Sequence, residues 1–241
     1  MPATCCSRPL TPKTVSDALI ITIDGPAGTG KSTVAAALAK QLGIVRLDTG
    51  AMYRTVALVV LREGIDPTDG DAIVRACAAH ELRYDLNGDP PRMLLDGEDV
   101  EPFIRSAEIG AIVSEVSVPP VVRDVMVRMQ RAAAEACPRL VSEGRDQGSV
   151  VFPDAQMRFF LTADADERVQ RRVKQLLAAG REVDAESIAA EIAHRDHIDA
   201  SREAAPLVCP VGAVRIDSTR MPIEDVVAEM LLHVQAAVQG A

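Results

Sequence analysis

A glycine loop constrains this chain more than any other feature. Within IDGPAGTGKSTVA (23–35), the pattern GxxxxGK[ST] runs from Gly25 to Ser32. An apolar run at 18–24 leads into the loop, and an Ala- and Leu-rich stretch that ends at Gly43 follows it. Strand, loop and helix in that order predict a phosphate cradle, in which backbone N–H groups and the lysine meet phosphate oxygens and the serine meets Mg²⁺. The pattern does not indicate what receives the phosphate.

Four more short runs, rich in β-branched or aromatic residues, alternate with helical stretches. This alternation predicts an α/β fold with a five-stranded parallel sheet between helices, and a ligand at the carboxyl edge of the sheet. The segment 82–100 breaks the pattern, because two strand-like runs flank Asn87–Gly88 and predict a small antiparallel hairpin insertion. The four sheet runs are 43–48, 138–144, 157–163 and 213–219.

The charge and composition of the chain limit the kinds of molecule that it can bind. A net charge of −9 with 2 % aromatic residues is unfavourable for binding nucleic acid or an anionic membrane, and no run is long enough to span a bilayer. The five cysteines lack zinc-site spacing, and their odd number favours free thiols in a reducing compartment. We therefore expect a cytoplasmic, monomeric protein, with a disordered tail at 1–17 preceding one domain at 18–241.

The absence of two motifs argues against two classes of nucleotide-binding protein. The only asparagine is Asn87, and glycine follows it, so the Asn-Lys-x-Asp element by which GTPases read guanine is absent. An LSGGQ-like transporter signature is absent as well. These absences favour a small phosphotransferase. A non-catalytic nucleotide-dependent regulator remains the alternative from another class.

Two polar segments follow predicted strands and are candidates for binding the acceptor. In LDTGAMYR (47–54), Arg54 can bind a phosphate through two parallel hydrogen bonds. The plainer interpretation is that Asp48 or Thr49 caps a helix and that Arg54 is solvated. In SEGRDQGSVVFPDA (142–155), Glu143, Arg145 and Asp146 gather at the end of a buried strand. The plainer interpretation of the second segment is an arginine–aspartate pair that closes a turn.

The segment 188–202 places a stripe along one face of a predicted helix. The stripe begins apolar and ends charged, which predicts that its charges point into a cleft. The alternative is a surface salt bridge between Arg195 and Asp199. Its members are Ile188, Ile192, Arg195, Asp199 and Arg202.

The segment 166–183 is rich in basic residues. It predicts either a mobile lid whose arginines meet ATP or a solvated amphipathic helix. Its basic residues are Arg168, Arg171, Arg172, Lys174 and Arg181.

Five blocks together resemble the bacterial cytidylate kinase family, from about residue 19 to the C-terminus: IDGPAGTGKST, LDTGAMYR, EGRDQGSVVFPDA, HRDHIDASREAAPL and IDST. The resemblance implies a P-loop kinase fold, with a nucleoside-monophosphate-binding insertion at about 76–116 and a lid at about 168–183. It also implies Mg²⁺-dependent transfer of the γ-phosphate of ATP to CMP or dCMP.

The resemblance also implies roles for individual residues, among them Lys31, Arg145, Arg195 and Arg202 in catalysis. Mg²⁺ is implied at Ser32, and through water at Glu143, which stands where the family has aspartate. The implied ATP site is Gly25, Pro26, Ala27, Gly28, Thr29, Gly30, Lys31, Ser32 and Thr33, with Arg171 and Arg172 from the lid. The implied CMP site is Thr49 beside the cytosine, Arg54 and Arg145 at the phosphate, Ser114, Arg195 and Asp199 around the sugar, and Arg123, Asp146 and Arg202 around the cytosine end.

Base chemistry agrees with a cytosine acceptor. A carboxylate such as Asp146 can accept from the cytosine N4 amino group, and Arg123 can donate to N3 or O2. Uracil would instead turn its O4 towards the carboxylate and its N3–H towards the donor, and adenine would need a larger slot. A kinase for UMP, AMP or a hydroxyl metabolite remains the nearest enzymatic alternative.

Overall fold

The computed structural model describes residues 18–178 and 180–239, and these form an α/β fold. A five-stranded parallel sheet is flanked by helices, as the sequence predicted, and a small antiparallel sheet accompanies it. The predicted tail at 1–17, with Cys5 and Cys6, lies outside the described residues. The strands of the parallel sheet are β1 (Leu19–Asp24), β2 (Val45–Asp48), β6 (Arg139–Gly144), β7 (Met157–Thr162) and β8 (Val214–Asp217).

The parallel sheet has the strand order β2-β6-β1-β7-β8. Ile21 on β1 is in register with Met157 on β7, and Phe159 on β7 is in register with Val214 on β8. Ile21 and Phe159 are fully buried, because helices cover a parallel sheet and bury the apolar side chains of its central strands. This burial explains why short apolar runs were enough to predict all five strands.

Nine helices occur among the described residues, and local capping sets several of their ends. Asp48 caps the second helix by accepting the Ala51 N–H, and Gly64 ends that helix at φ 66°. Asp184 caps the eighth in the same way, through the N–H groups of Glu186 and Ser187. The helices are α1 (Lys31–Leu42), α2 (Thr49–Glu63), α3 (Gly70–Ala78), α4 (Glu101–Ile104), α5 (Ala107–Val116), α6 (Pro120–Ala136), α7 (Ala165–Ala178), α8 (Ala185–Ser201) and α9 (Ile223–Gln239).

The predicted hairpin forms, and it carries one strand more than the sequence indicated. Strands β3 (Leu82–Asp85) and β4 (Arg92–Leu95) pair antiparallel, and β5 (Glu98–Asp99) adds to β4. The turn before β5 places Asp96 at φ 51° and Gly97 at φ 82°. A strand of two acidic residues has no apolar alternation, so its pairing depends on this turn and not on a sequence pattern.

The described residues divide into two compact units. The first unit holds 18–20 and Gly43–Ser142, and the second holds Ile21–Leu42 and residues from Glu143 onward. The first unit includes the small sheet and α2 to α6, whereas the second includes the glycine loop and α7 to α9. Among the described residues, no helix has the length and apolarity needed to cross a membrane.

Candidate active site

The glycine loop of the second unit joins β1 to α1 and folds around one carbonyl. Thr29 Oγ1 donates to the Pro26 carbonyl at 3.1 Å, and Lys31 Nζ donates to the same oxygen at 2.7 Å. Gly25 has φ 149°, and a Cβ there would lie 2.2 Å from the Leu161 carbonyl oxygen. Only glycine fits at that position, because both the backbone angle and the contact exclude a side chain.

Lys31 is buried, with 6 % of its surface exposed. Burial lowers its pKa well below the usual value, and the charge of Arg145 lowers the pKa further. The carboxylates of Glu143, Asp199 and Asp24 oppose this shift. The loop lysine therefore shares one electrostatic environment with groups from the GRD and HRDHID segments, all within the second unit.

A serine–glutamate contact lies where α1 begins. Ser32 Oγ donates to Glu143 Oε2 at 2.8 Å. A hydroxyl and a carboxylate are oxygen ligands of the kind that Mg²⁺ takes, together with substrate phosphates and water. These two side chains fit the magnesium role expected for them.

The charged end of the predicted stripe forms a cluster with Arg145. Arg145 Nε donates to Asp199 Oδ2 at 2.7 Å, and Arg202 NH1 lies 3.5 Å from Asp199 Oδ1. Arg195 instead lies 3.7 Å from Glu191. The surface bridge between Arg195 and Asp199 does not form. Asp199 and Arg202 are buried, along with Ile188 and Ile192 of the same stripe.

The charged groups in this cluster shift one another's pKa values. Burial alone would raise the pKa of Asp199, but the charges of Arg145 and Arg202 outweigh it and hold the pKa below the usual range. Burial lowers the pKa of Arg195, and the like charge of Arg145 adds to this effect. Guanidinium groups such as these have the chemistry to bind an anion.

Asp146 is buried beside this cluster, at the start of a π-helical turn, Gln147–Val151. Gln147 Nε2 donates to Asp146 Oδ1 at 3.3 Å. The interpretation of this segment as an Arg145–Asp146 pair is wrong, because Arg145 pairs with Asp199 instead.

Helix α7 contacts the glycine loop through two of its arginines. Arg168 NH1 donates to the Ala27 carbonyl at 3.0 Å and forms an ion pair with Asp196, which accepts the Ala27 N–H at 3.2 Å. Arg171 donates to the Ser218 carbonyl at 2.6 Å and to the Thr29 carbonyl at 3.5 Å. The basic helix is therefore more than a solvated face, although none of its residues is fully buried.

Arg172, the second arginine predicted to meet ATP, bonds Gln175 of its own helix at 3.0 Å. Sequence reasoning named Arg168 only as a member of a charge run and missed Asp24 and Asp196. Asp24 accepts the N–H groups of Gln147 and Gly148. Asp196 lies between Arg195 and His197 in the quoted block, and its adjacency to the stripe was the one available signal.

In the first unit, Thr49 opens α2 and is buried behind the Asp48 cap. Asp48 also accepts from Arg105 at 2.9 Å, and its backbone N–H donates to the Tyr84 hydroxyl at 2.9 Å. Burial would raise the pKa of Asp48, but the charges of Arg105 and Arg46 outweigh it and lower the pKa. The predicted helix cap is confirmed. The start of α2 is held by residues of the small sheet and of the α4–α5 junction.

The remaining acceptor candidates of the first unit lie on helices. Arg54 NH1 donates to the Ile104 carbonyl at 3.1 Å, so its expected solvation is only partial. Arg123 is buried, donates to the Ser117 carbonyl at 3.2 Å and lies 5.8 Å from the centre of the Tyr53 ring. Ser114 is buried on α5, and its carbonyl accepts from the Ser117 hydroxyl at 2.7 Å. Ser114 and Arg123 thus share Ser117 as a neighbour.

Comparison with known proteins shows that the sequence of this chain is similar to those of one family. The family model described as cytidylate kinase matches residues 21–236. Cytidylate kinase of Mycobacterium avium is 48 % identical over 203 residues, which cover 84 % of this chain and 89 % of that protein. Cytidylate kinase of Edwardsiella ictaluri is 45 % identical over 214 residues, covering 89 % and 95 %. That of Caldanaerobacter subterraneus is 46 % identical over 220 residues, covering 91 % and 96 %.

Proposed function

The chain belongs to the cytidylate kinase family, and from this membership we propose that it transfers the γ-phosphate of ATP to CMP, giving CDP and ADP. We propose dCMP as a second acceptor. The family match spans 21–236 and so includes each residue proposed below. The chain acts as a monomer in the cytoplasm, with ATP and the nucleoside monophosphate as its partners.

One observation carries the proposal. The buried ammonium group of Lys31 responds to the charges of Arg145, Glu143 and Asp199. A phosphate loop alone would fit a switch or a motor equally well. The electrostatic influence of Arg145 and Asp199 on the loop lysine supports a kinase, because phosphoryl transfer depends on positive charge that stabilises the transferring group.

The donor half of the reaction is assigned to residues 25–33, with Arg171 and Arg172. The loop N–H groups and the positive end of α1 hold the phosphates of ATP. Lys31 leaves the Pro26 carbonyl to bind the β- and γ-phosphates. Ser32, and Glu143 through water, would hold Mg²⁺, which would supply neutralising charge to those phosphates.

The acceptor half is assigned from the family resemblance to residues whose side chains suit an anion or a base. Arg54 and Arg145 bind the CMP phosphate, while Ser114, Arg195 and Asp199 contact the sugar. Arg145, Arg195 and Arg202 stabilise the charge that spreads over the transferring group, and no side chain need act as a general base. Thr49, Arg123, Asp146 and Arg202 surround the base. We propose 76–116 as the monophosphate-binding insertion and 168–183 as the lid, which excludes water during transfer.

The function is tested by measuring ADP release with a panel of nucleoside monophosphates. ADP should form rapidly with ATP, Mg²⁺ and CMP, and only slowly when CMP is left out. A regulator would release ADP at the same slow rate with every acceptor. Faster release with UMP or AMP than with CMP would contradict the assignment and favour the rival kinase activities.

Base reading by Asp146 is tested by replacing it with alanine. Asp146→Ala should lower kcat/KM for CMP by about 100-fold and reduce the preference for CMP over UMP, because the N4 amino group loses its acceptor. Asp154→Ala is a matched control, since Asp154 belongs to the same segment and is exposed. An Asp146→Ala enzyme with the wild-type CMP/UMP ratio would exclude this role.

A further inference from the structure

Asp24 is a buried carboxylate that the reaction scheme above does not use. It is the last residue of β1, directly before the glycine loop, and no part of it is exposed. Its Oδ1 accepts the Gln147 N–H at 2.8 Å, and its Oδ2 accepts the Gly148 N–H at 2.7 Å. One side chain therefore binds both N–H groups that follow Asp146.

Those two N–H groups open the π-helical turn that holds Asp146. The Asp146 carbonyl accepts from Val150 N at 2.9 Å and from Val151 N at 3.1 Å. The Asp146 carboxylate accepts from the Gln147 side chain at 3.3 Å. The backbone and the side chain of Asp146 are thus both bonded to a turn that Asp24 fixes in place.

Packing leaves this turn little room to adopt another position. A Cβ on Gly148 would lie 2.8 Å from Thr22 Oγ1 on β1 and 3.0 Å from Pro210 Cγ. The turn therefore rests directly against β1, and glycine permits the close approach that brings its N–H groups to Asp24. Loss of one of these hydrogen bonds would let the turn shift away from the strand.

The carboxylate is held there at an electrostatic cost. Burial raises the pKa of Asp24 to about 6, and the bonds from Gly148 and Gln147 counter that rise. The charge of Asp146 raises the pKa further, whereas that of Lys31 lowers it. An apolar residue would avoid this cost but would leave two buried N–H groups without acceptors.

We propose that Asp24 is a positioning residue for acceptor specificity: it aims Asp146 at the base and thereby sets the preference for CMP over UMP. The inference rests on the proposed function, in which Asp146 accepts from the cytosine N4 amino group. Asp24 itself touches neither nucleotide. Its effect passes through the turn at Gln147–Val151.

The test compares kcat/KM for CMP and for UMP in Asp24→Asn and in Ser149→Ala. The amide keeps the size of the side chain but turns an NH₂ group towards one backbone N–H. We expect the CMP/UMP ratio to fall on the order of tenfold, with KM for CMP raised and KM for ATP unchanged. Ser149→Ala is the matched control, because the Ser149 hydroxyl lies in the same turn and has no hydrogen-bond partner among the described residues.

Several outcomes separate this inference from its rivals. If Asp24 only supports Lys31 or the fold, Asp24→Asn will lower both activities equally, and the unchanged ratio will overturn the inference. If Asp24→Asn does not fold, Gly148→Ala decides, because its Cβ displaces the turn while the carboxylate remains. A retained ratio in that variant also overturns the inference. A wild-type enzyme without preference for CMP would instead overturn the proposed function.

Discussion

Lys31→Met should lower kcat/KM for CMP by about 1,000-fold or more. The methionine keeps the aliphatic length of the side chain but removes the ammonium group, and with it charge stabilisation that develops in the transition state. Every acceptor should be affected alike, because the proposed role of the lysine is to bind the donor phosphates. Steady-state ADP release over a range of CMP concentrations, and separately of dCMP concentrations, measures the effect.

The same substitution should not lower thermal stability. Burial depresses the pKa of Lys31, so the folded state gains little from holding this charge, and a methionine there avoids the desolvation cost. Lys40→Met is the matched control, since Lys40 lies in the last turn of the same helix and is exposed. Activity of Lys31→Met within tenfold of wild type would rule out the proposed role of the loop.

Arg145→Met should lower kcat by about 1,000-fold, the scale expected for an arginine that meets a transferring phosphoryl group. It should also destabilise the fold by about 3 kcal/mol, because Asp199 loses its 2.7 Å partner and stays buried. Measurements of kcat with CMP and of chemical denaturation report the two effects separately. Arg215→Met, at an exposed residue of β8, should change neither quantity.

The double variant Arg145→Met/Asp199→Asn separates charge balance from chemistry. Replacing the carboxylate should return part of the lost stability, because Asp199 without Arg145 stays buried with only the 3.5 Å contact to Arg202 to offset its desolvation. Activity should stay low, since the guanidinium proposed to bind phosphate is still missing. Recovery of activity together with stability would mean that Arg145 serves the fold alone.

Much of the fold could be predicted because its signals are local. The glycine pattern, the apolar run before it and the helix after it lie within 18–43, and all three appear where expected. The other four sheet strands were predicted to within two residues at each end, since each is a short run that contains at least one buried apolar residue. Strand β5 was not anticipated, because only the turn at Asp96–Gly97 and its pairing with β4 create it.

The sequence predicted which residues belong to the candidate site, but it did not predict which of them form ion pairs or hydrogen bonds with one another. The helical spacing placed Asp199 and Arg195 on one face and predicted that their charges point into a cleft, but it could not identify their partners; the alternative, a bridge between the two, does not form. The partner of Asp199 is Arg145, which lies 54 positions away along the chain. Asp24 was hidden for the same reason, since its two donors lie 123 and 124 positions away.

The sequence by itself determined the phosphate loop, the strand and helix order and the family, because each depends on residues close together along the chain. The tertiary structure alone decided which charges neutralise one another around Lys31 and which carboxylate holds the turn after Asp146. Buried charged groups must find partners wherever the fold brings them, and the sheet brings together strand ends that are far apart in sequence. The loop is set by local geometry, whereas the charge pairing around it is set by packing.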